Sequence, residues 1–187
     1  GDDLSRFRPM VVAATRDQAE RKGVAIARRG PAIFGLAPIR DPQGKFVGTF
    51  EFGLAFGPLL DALKAAYALD FTLFVEEKPL REFAKGLDPA ALSDQNRVGR
   101  FIRIHSTNSA LMQNLAGDSD ISAVGEPARY TRDAQGHAFG VLLVPLRDGA
   151  GDPMGVIAVA RDFSGTRAAG GRSLVWQICL AVFAIVI

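Results

Sequence analysis

The sequence has one cysteine, two histidines and one tryptophan in 187 residues. A lone Cys179 excludes an internal disulfide framework and a cysteine-based zinc site, and His105 and His137 are too few for a histidine-rich one. No run of five or six basic residues occurs, and 22 Lys+Arg against 20 Asp+Glu leave a formal charge of only +2. Such a field is too weak to mark nucleic acid as a partner. A nucleophile elbow, a P-loop, an HExxH pair and a GxGxxG turn are all missing, so no catalytic residue, metal or cofactor is expected and the chain does not read as an enzyme. What remains is 48% hydrophobic residues with 10 prolines, the composition of one or two modest globular domains.

The two ends carry information of their own. Ser173–Ile187 (SLVWQICLAVFAIVI) holds no charge, and at 1.5 Å per residue it would make about 22 Å of helix, short of the hydrocarbon core of about 30 Å. A buried core helix and the front of a transmembrane helix compete for it. Gln177 is the one strongly polar residue after Ser173 and Trp176 stands near the entry, which favours the membrane. Gly1-Asp2-Asp3 has neither an initiator Met nor a signal region, as expected of a segment excised from a longer protein.

Shifting the chain by 107 residues lays Leu36–Phe56 without gaps on Leu143–Phe163, with seven of 21 positions identical: Leu36/Leu143, Pro38/Pro145, Arg40/Arg147, Asp41/Asp148, Gly44/Gly151, Gly48/Gly155 and Phe56/Phe163. Composition alone would give roughly one or two matches. A domain-sized offset implies a duplicated module and not a solenoid. Each copy reads as a hairpin: an apolar strand ending in Pro-x-Arg-Asp, a turn closed by glycine, and a second strand over 46–54 or 154–161. A further strand is expected before each, at 24–28 and 128–132, giving two three-stranded meanders. Helices are expected over 9–22, with Gly23 as a stop, over 56–68, and in short pieces within 83–96 and 109–120. Strands are expected over 70–76 and 100–105.

This order of elements is PAS-like. The strand of form P-[IL]-R-D, its Gly-closed turn, and above all GLAPIRDPQGKFVGTFEFGLAFGPLL (Gly35–Leu60) resemble the extracytoplasmic double Cache sensor domains of bacterial transmembrane chemoreceptors, sensor kinases and cyclases; the resemblance spans 31–187. It implies an α+β fold of tandem PAS-like (Cache) modules with antiparallel sheets, followed by the start of a transmembrane helix. The implied layout is the C-terminal part of a membrane-distal module at 1–55, a linking helix at 56–69, a membrane-proximal module at 70–165 and the helix start at 173–187. Only 35 residues precede the first hairpin, so the opening elements of that module look truncated. The implied function is binding of a small molecule and signalling through the C-terminal helix, by a homodimeric receptor of the bacterial inner membrane whose sensor lies in the periplasm. Capture of a periplasmic binding protein is the alternative. The Tyr, Arg, Trp-Tyr pattern of amino-acid-binding Cache domains is absent, which argues against an α-amino acid ligand.

Candidate ligand contacts follow from strand alternation. Phe101, Arg103 and His105 fall on one side of their strand and Ile102 and Ile104 on the other, while Tyr130 and Arg132 share a face of theirs. Converging arginines and a tyrosine would suit an anionic small molecule through charge-assisted hydrogen bonds, with His105 at the edge; an outward, merely solvated face is the competing reading. Arg40 and Arg147, duplicated beside Asp41 and Asp148 at turns, read as structural. Glu76-Glu77 read as strand neighbours on opposite faces, and Glu51 as part of an apolar core strand.

Overall fold

The computed structural model of the protein describes residues 8–164. Two antiparallel sheets form. The smaller has the order β1-β2-β3 and is built from β1 (Arg21–Ala27), β2 (Gly30–Arg40) and β3 (Phe46–Ala55), preceded by α1 (Pro9–Asp17). After α2 (Phe56–Tyr67) come β4 (Asp70–Glu76), α3 (Glu77–Phe83), two 3₁₀ turns (Pro89–Leu92 and Asp94–Asn96), the two-residue β5 (Arg97–Val98), β6 (Phe101–Ser106), α4 (Ser109–Leu115), α5 (Asp118–Ser122), β7 (Ala128–Ala134), β8 (His137–Arg147) and β9 (Pro153–Asp162). These strands make a six-stranded sheet of order β5-β6-β4-β9-β8-β7. The two repeated hairpins therefore lie in separate sheets, β2–β3 in one and β8–β9 in the other.

The duplication extends to single atoms at the turns. Arg40 Nη1 donates to Gly44 O at 3.2 Å and Arg147 Nη1 to Gly151 O at 3.1 Å. Asp41 Oδ1 accepts from the backbone of Gln43 and Lys45, and Asp148 Oδ1 from that of Ala150 and Asp152. Gly44 and Gly151 have φ of 82° and 93°, a region that glycine alone enters without strain. The paired Arg-Asp thus closes each turn by satisfying backbone groups at the strand ends.

Both faces of the six-stranded sheet are covered. On one, Phe71, Leu73, Val75 and Ile102 pack with Phe56 and Leu60 of α2 and Leu80 of α3, and Val24 of β1 joins the same core from the smaller sheet. On the other, Phe74, Phe101, Val141, Leu143 and Val156 pack under Leu111, Met112 and Leu115 of α4 and Ile121 of α5. Each such fully buried side chain contributes roughly 1.5–3 kcal/mol. The small sheet has its own core, where Ala14 of α1 sits on Phe34 and Leu36.

Three local expectations change. The first helix stops at Asp17, with Gln18 left-handed at φ 51°, and Arg21–Ala27 is already strand. Gly23 is no helix stop; it lies within β1, where a Cβ would meet Met10 Sδ and Gly149 Cα at 3.0 and 3.1 Å. Glu76 and Glu77 are not strand neighbours, because β4 ends at Glu76 and α3 opens at Glu77. They hold different arginines, Arg100 for Glu76, and Arg81 and Arg97 for Glu77. Glu51 is also not a packing residue: it pairs with Arg8, whose guanidinium stacks over Phe34. The apolar stretch expected to enter a membrane lies outside the described residues, as does Cys179; among the described residues no helix is long and apolar enough to cross a membrane.

Candidate functional site

The sheet face beneath α4 and α5 is the candidate site. It is built on central strands whose side chains there are small, Ala158 and Ala160 of β9, beside Thr72 of β4, the one buried polar residue among the described residues. Thr72 Oγ1 shares a 2.7 Å hydrogen bond with Ser106 Oγ, so a hydroxyl pair sits in an otherwise apolar layer without an unsatisfied group. Lys64 Nζ fastens the end of α2 to Asp70 Oδ1 at 2.7 Å and to Thr107 O at 2.9 Å.

Phe101 and Arg103 lie on this face, since Phe101 packs with Phe74 and Arg103 stands opposite Phe74 in the β4–β6 register. His105 does not. A bulge between Leu73 and Phe74 pairs Leu73 with His105 and Phe74 with Arg103, and skips Ile104. The extra residue breaks the alternation expected of an even strand. His105 therefore turns to the opposite face, where its Nε2 meets Asp61 Oδ1 of α2 at 2.8 Å.

Tyr130 and Arg132 are on the α4–α5 face, opposite Val141 and Phe139 of β8. They sit together, the Arg132 guanidinium 4.9 Å from the Tyr130 ring centre. Their strand, β7, stands four steps along the sheet from β6, which carries Arg103, yet both ends of the face reach the same helix, Tyr130 and Arg132 through Leu115 O and Arg103 through Gln113.

The two ends of the face differ in electrostatics. Arg132 Nη1 and Nη2 grip the Asp120 carboxylate at 2.7 and 3.0 Å. Nη1 and the Tyr130 hydroxyl both reach Leu115 O, at 2.9 and 2.7 Å. The Arg132 hydrogen bond holds the Asp120 carboxyl below the usual carboxylate range, and the same pair raises the guanidinium. Burial, with Asp120 nearby, pushes the Tyr130 hydroxyl up to about 12. Arg103 Nη2 instead meets neutral acceptors, Gln95 O at 3.0 Å and Asn96 Oδ1 at 3.2 Å. The Gln113 amide of α4, oriented to present its oxygen, accepts from both terminal nitrogens. Among the described residues no carboxylate forms an ion pair with Arg103, which leaves this half-buried guanidinium formally uncompensated.

Asp120, Gln113 and Asn96 escaped the sequence reading. Asp120 carried a partial signal: it is third in a helical first turn, where its carboxylate accepts from Gly117 N at 2.9 Å. Its pairing with Arg132 depends on β7 returning along the sheet edge, which no local pattern announces. Among the described residues no cluster of three or more His, Cys, Asp or Glu is arranged to hold a metal.

Two antiparallel sheets carry the duplicated Arg-Asp hairpins, and the larger sheet has a face covered by helices, a tandem α+β arrangement. Residues 1–165 match the family described as the double sensory domain of two-component sensor kinase, and the chain belongs to that family. It is accordingly a Cache sensor domain of α+β, PAS-like class. Among solved structures it is similar to the ligand-binding domain of the Pseudomonas aeruginosa PAO1 amino acid chemoreceptor PctB in complex with L-Arg. That match has 12% identity and a TM-score of 0.34, and covers 97% of this chain and 68% of that one. No curated protein matches the chain.

Proposed function

We propose that this domain is the extracytoplasmic ligand-sensing part of a bacterial transmembrane receptor, and that its six-stranded module takes an anionic small molecule on the face beneath α4 and α5. In this reading 1–55 is the C-terminal part of the membrane-distal module, 56–69 the link, 70–165 the membrane-proximal module and 173–187 the start of the membrane helix. Arg103 supplies the charge and Phe101 an apolar wall. Tyr130 and Arg132 hold the cover through Leu115 O and Asp120, and His105 ties β6, the strand of Arg103, to α2 from behind.

The observation that carries the reading is the guanidinium of Arg103, half-buried on a helix-covered face with neutral partners only. A carboxylate or phosphate gains a charge-assisted bond there without first displacing an internal anion. At the other end Asp120 already occupies Arg132, so a second acidic group on the ligand would have to compete with it. Transmission has a short path: β9 lies between β4 and β8 at the centre of the sheet, and the chain continues from it toward the apolar C-terminal stretch. A ligand that favours one arrangement of the face shifts the population of that strand's exit.

A thermal-shift screen of mono- and dicarboxylates and phosphorylated metabolites, followed by calorimetry on the best binder, tests this. Arg103→Ala is expected to weaken binding about ten- to hundredfold, the loss of one charged hydrogen bond. Unchanged affinity in both Arg103→Ala and Arg132→Ala would remove the site from this face.

A further inference from the structure

The cover of the candidate site gives its two arginines different partners. To Arg132 the α4–α5 segment supplies a carboxylate, that of Asp120, at 2.7 and 3.0 Å. To Arg103 it supplies an amide: the side-chain oxygen of Gln113, in α4, accepts from Nη1 and Nη2 together. A glutamate has the same shape as glutamine and is equally at home in a helix, and at this position it would form a lasting ion pair. The amide therefore fills the terminal edge of the guanidinium without neutralising it.

The partners of Arg103 are not equally replaceable. Gln95 O is main chain of the 3₁₀ turn at Asp94–Asn96, and Asn96 is held by bonds of its own, its side-chain nitrogen donating to Ala90 O at 3.4 Å and Ala91 O at 3.3 Å. Both serve Nη2. Gln113 is exposed, carries its amide on a flexible stem and is the partner of Nη1. The acids on this side of the sheet are engaged elsewhere. Asp94, beside Gln95, lies 3.3 Å from Arg97 Nε, Glu77 holds Arg81 and Arg97, and Glu76 holds Arg100.

We propose that Gln113 is an internal stand-in for the ligand: in the empty site its oxygen holds the Nη1–Nη2 edge of Arg103, and a small monocarboxylate takes that edge with two parallel bonds and displaces it. Two carboxylate oxygens match the two terminal nitrogens. Phosphate fits less well, because its further oxygens would face Gln95 O and Asn96 Oδ1, which already occupy Nη2. The exchange removes the polar tie between α4 and β6 while the tie to β7, through Leu115 O two residues further along the helix, stays in place. Occupancy is thereby converted into a looser hold on one end of the cover. The inference rests on the reading of Arg103 as the anion's partner, and adds which residue the anion displaces and which class of anion it is.

NMR titrations of acetate, the smallest carboxylate with a methyl group, and of inorganic phosphate at constant ionic strength test it on the 187-residue protein and its Gln113→Ala, Gln113→Glu and Arg103→Ala variants. Alanine and glutamate are good helix formers at an exposed position, so the Gln113 variants should fold. Acetate should bind Gln113→Ala about two- to tenfold more tightly than wild type, since one competing neutral hydrogen bond is gone. It should not bind Gln113→Glu or Arg103→Ala, and phosphate should bind wild type more weakly than acetate does. Acetate binding that Arg103→Ala abolishes but that is no tighter in Gln113→Ala, or undiminished in Gln113→Glu, overturns the stand-in and leaves the ligand reading intact. Phosphate binding tighter than acetate overturns the carboxylate assignment. Acetate binding that ignores Arg103→Ala, or none to wild type and Gln113→Ala alike, overturns the proposal outright, and whether Arg103→Ala still binds the best metabolite of the thermal-shift screen shows separately if the ligand reading fails with it.

Discussion

Tyr130 and Arg132 meet on one acceptor: the phenol and the guanidinium both donate to Leu115 O, the carbonyl that ends α4. Because the last carbonyls of a helix have no partner within it, this pair closes the helix from the sheet and fixes the cover of the candidate site. Tyr130→Phe should cost about 1 kcal/mol, and Arg132→Ala about 1–3 kcal/mol because it also strands the Asp120 carboxylate. Urea unfolding checks both, and two variants with wild-type midpoints would mean that the cover is held by apolar packing alone.

The Asp120–Arg132 pair predicts a direction for the pH dependence. Asp120 has its folded-state pKa lowered, chiefly by the Arg132 hydrogen bond. Its contribution is therefore complete above the unfolded carboxylate value near 4 and is lost as pH falls through the lower folded value. Melting temperatures between pH 7 and pH 2.5 should drop less steeply below pH 4 for Asp120→Asn than for wild type, from a lower starting point at neutral pH. Parallel curves would show that Asp120 carries none of the acid sensitivity.

Gly155 and Gly48 are matched by the repeat and separated by their surroundings. Gly155→Ala forces a methyl against the β4 backbone, which cannot rotate away, and should destabilise the 187-residue protein by about 2–4 kcal/mol. Gly48→Ala in the same protein should stay within about 0.5 kcal/mol of wild type. Calorimetric melting of the two variants side by side decides, and equal losses would mean that β3 is not open at that edge.

The turn arginines predict symmetry. Arg40→Ala and Arg147→Ala each remove a bond to a turn glycine carbonyl, so each should cost about 1 kcal/mol. A loss confined to one of them would show that the two turns are alike in sequence but unequal in the fold.

Much of the architecture was legible because it is local. The Pro-x-Arg-Asp strand, the glycine needed for a positive φ and the short apolar runs of β4 and β8 each announce themselves within about ten residues, and the repeat doubles the signal. The candidate site was legible in part. Alternation set Phe101 with Arg103, and Tyr130 with Arg132, on shared faces, yet it put His105 with them, because one skipped residue in β6 leaves no trace in the sequence.

The amino-acid sequence by itself determined a duplicated hairpin module, since turn chemistry and strand periodicity act over short stretches where neighbours in the chain are neighbours in space; the sensor reading came from its resemblance to double Cache domains. Only the tertiary structure decided which side chains face one another. It carried Arg132 to Asp120, left Arg103 among neutral acceptors, and set β6 and β7 at separated positions in the sheet. Those outcomes depend on strand order and register, which arise from pairing between segments far apart in the chain and bury whichever face the helices happen to cover.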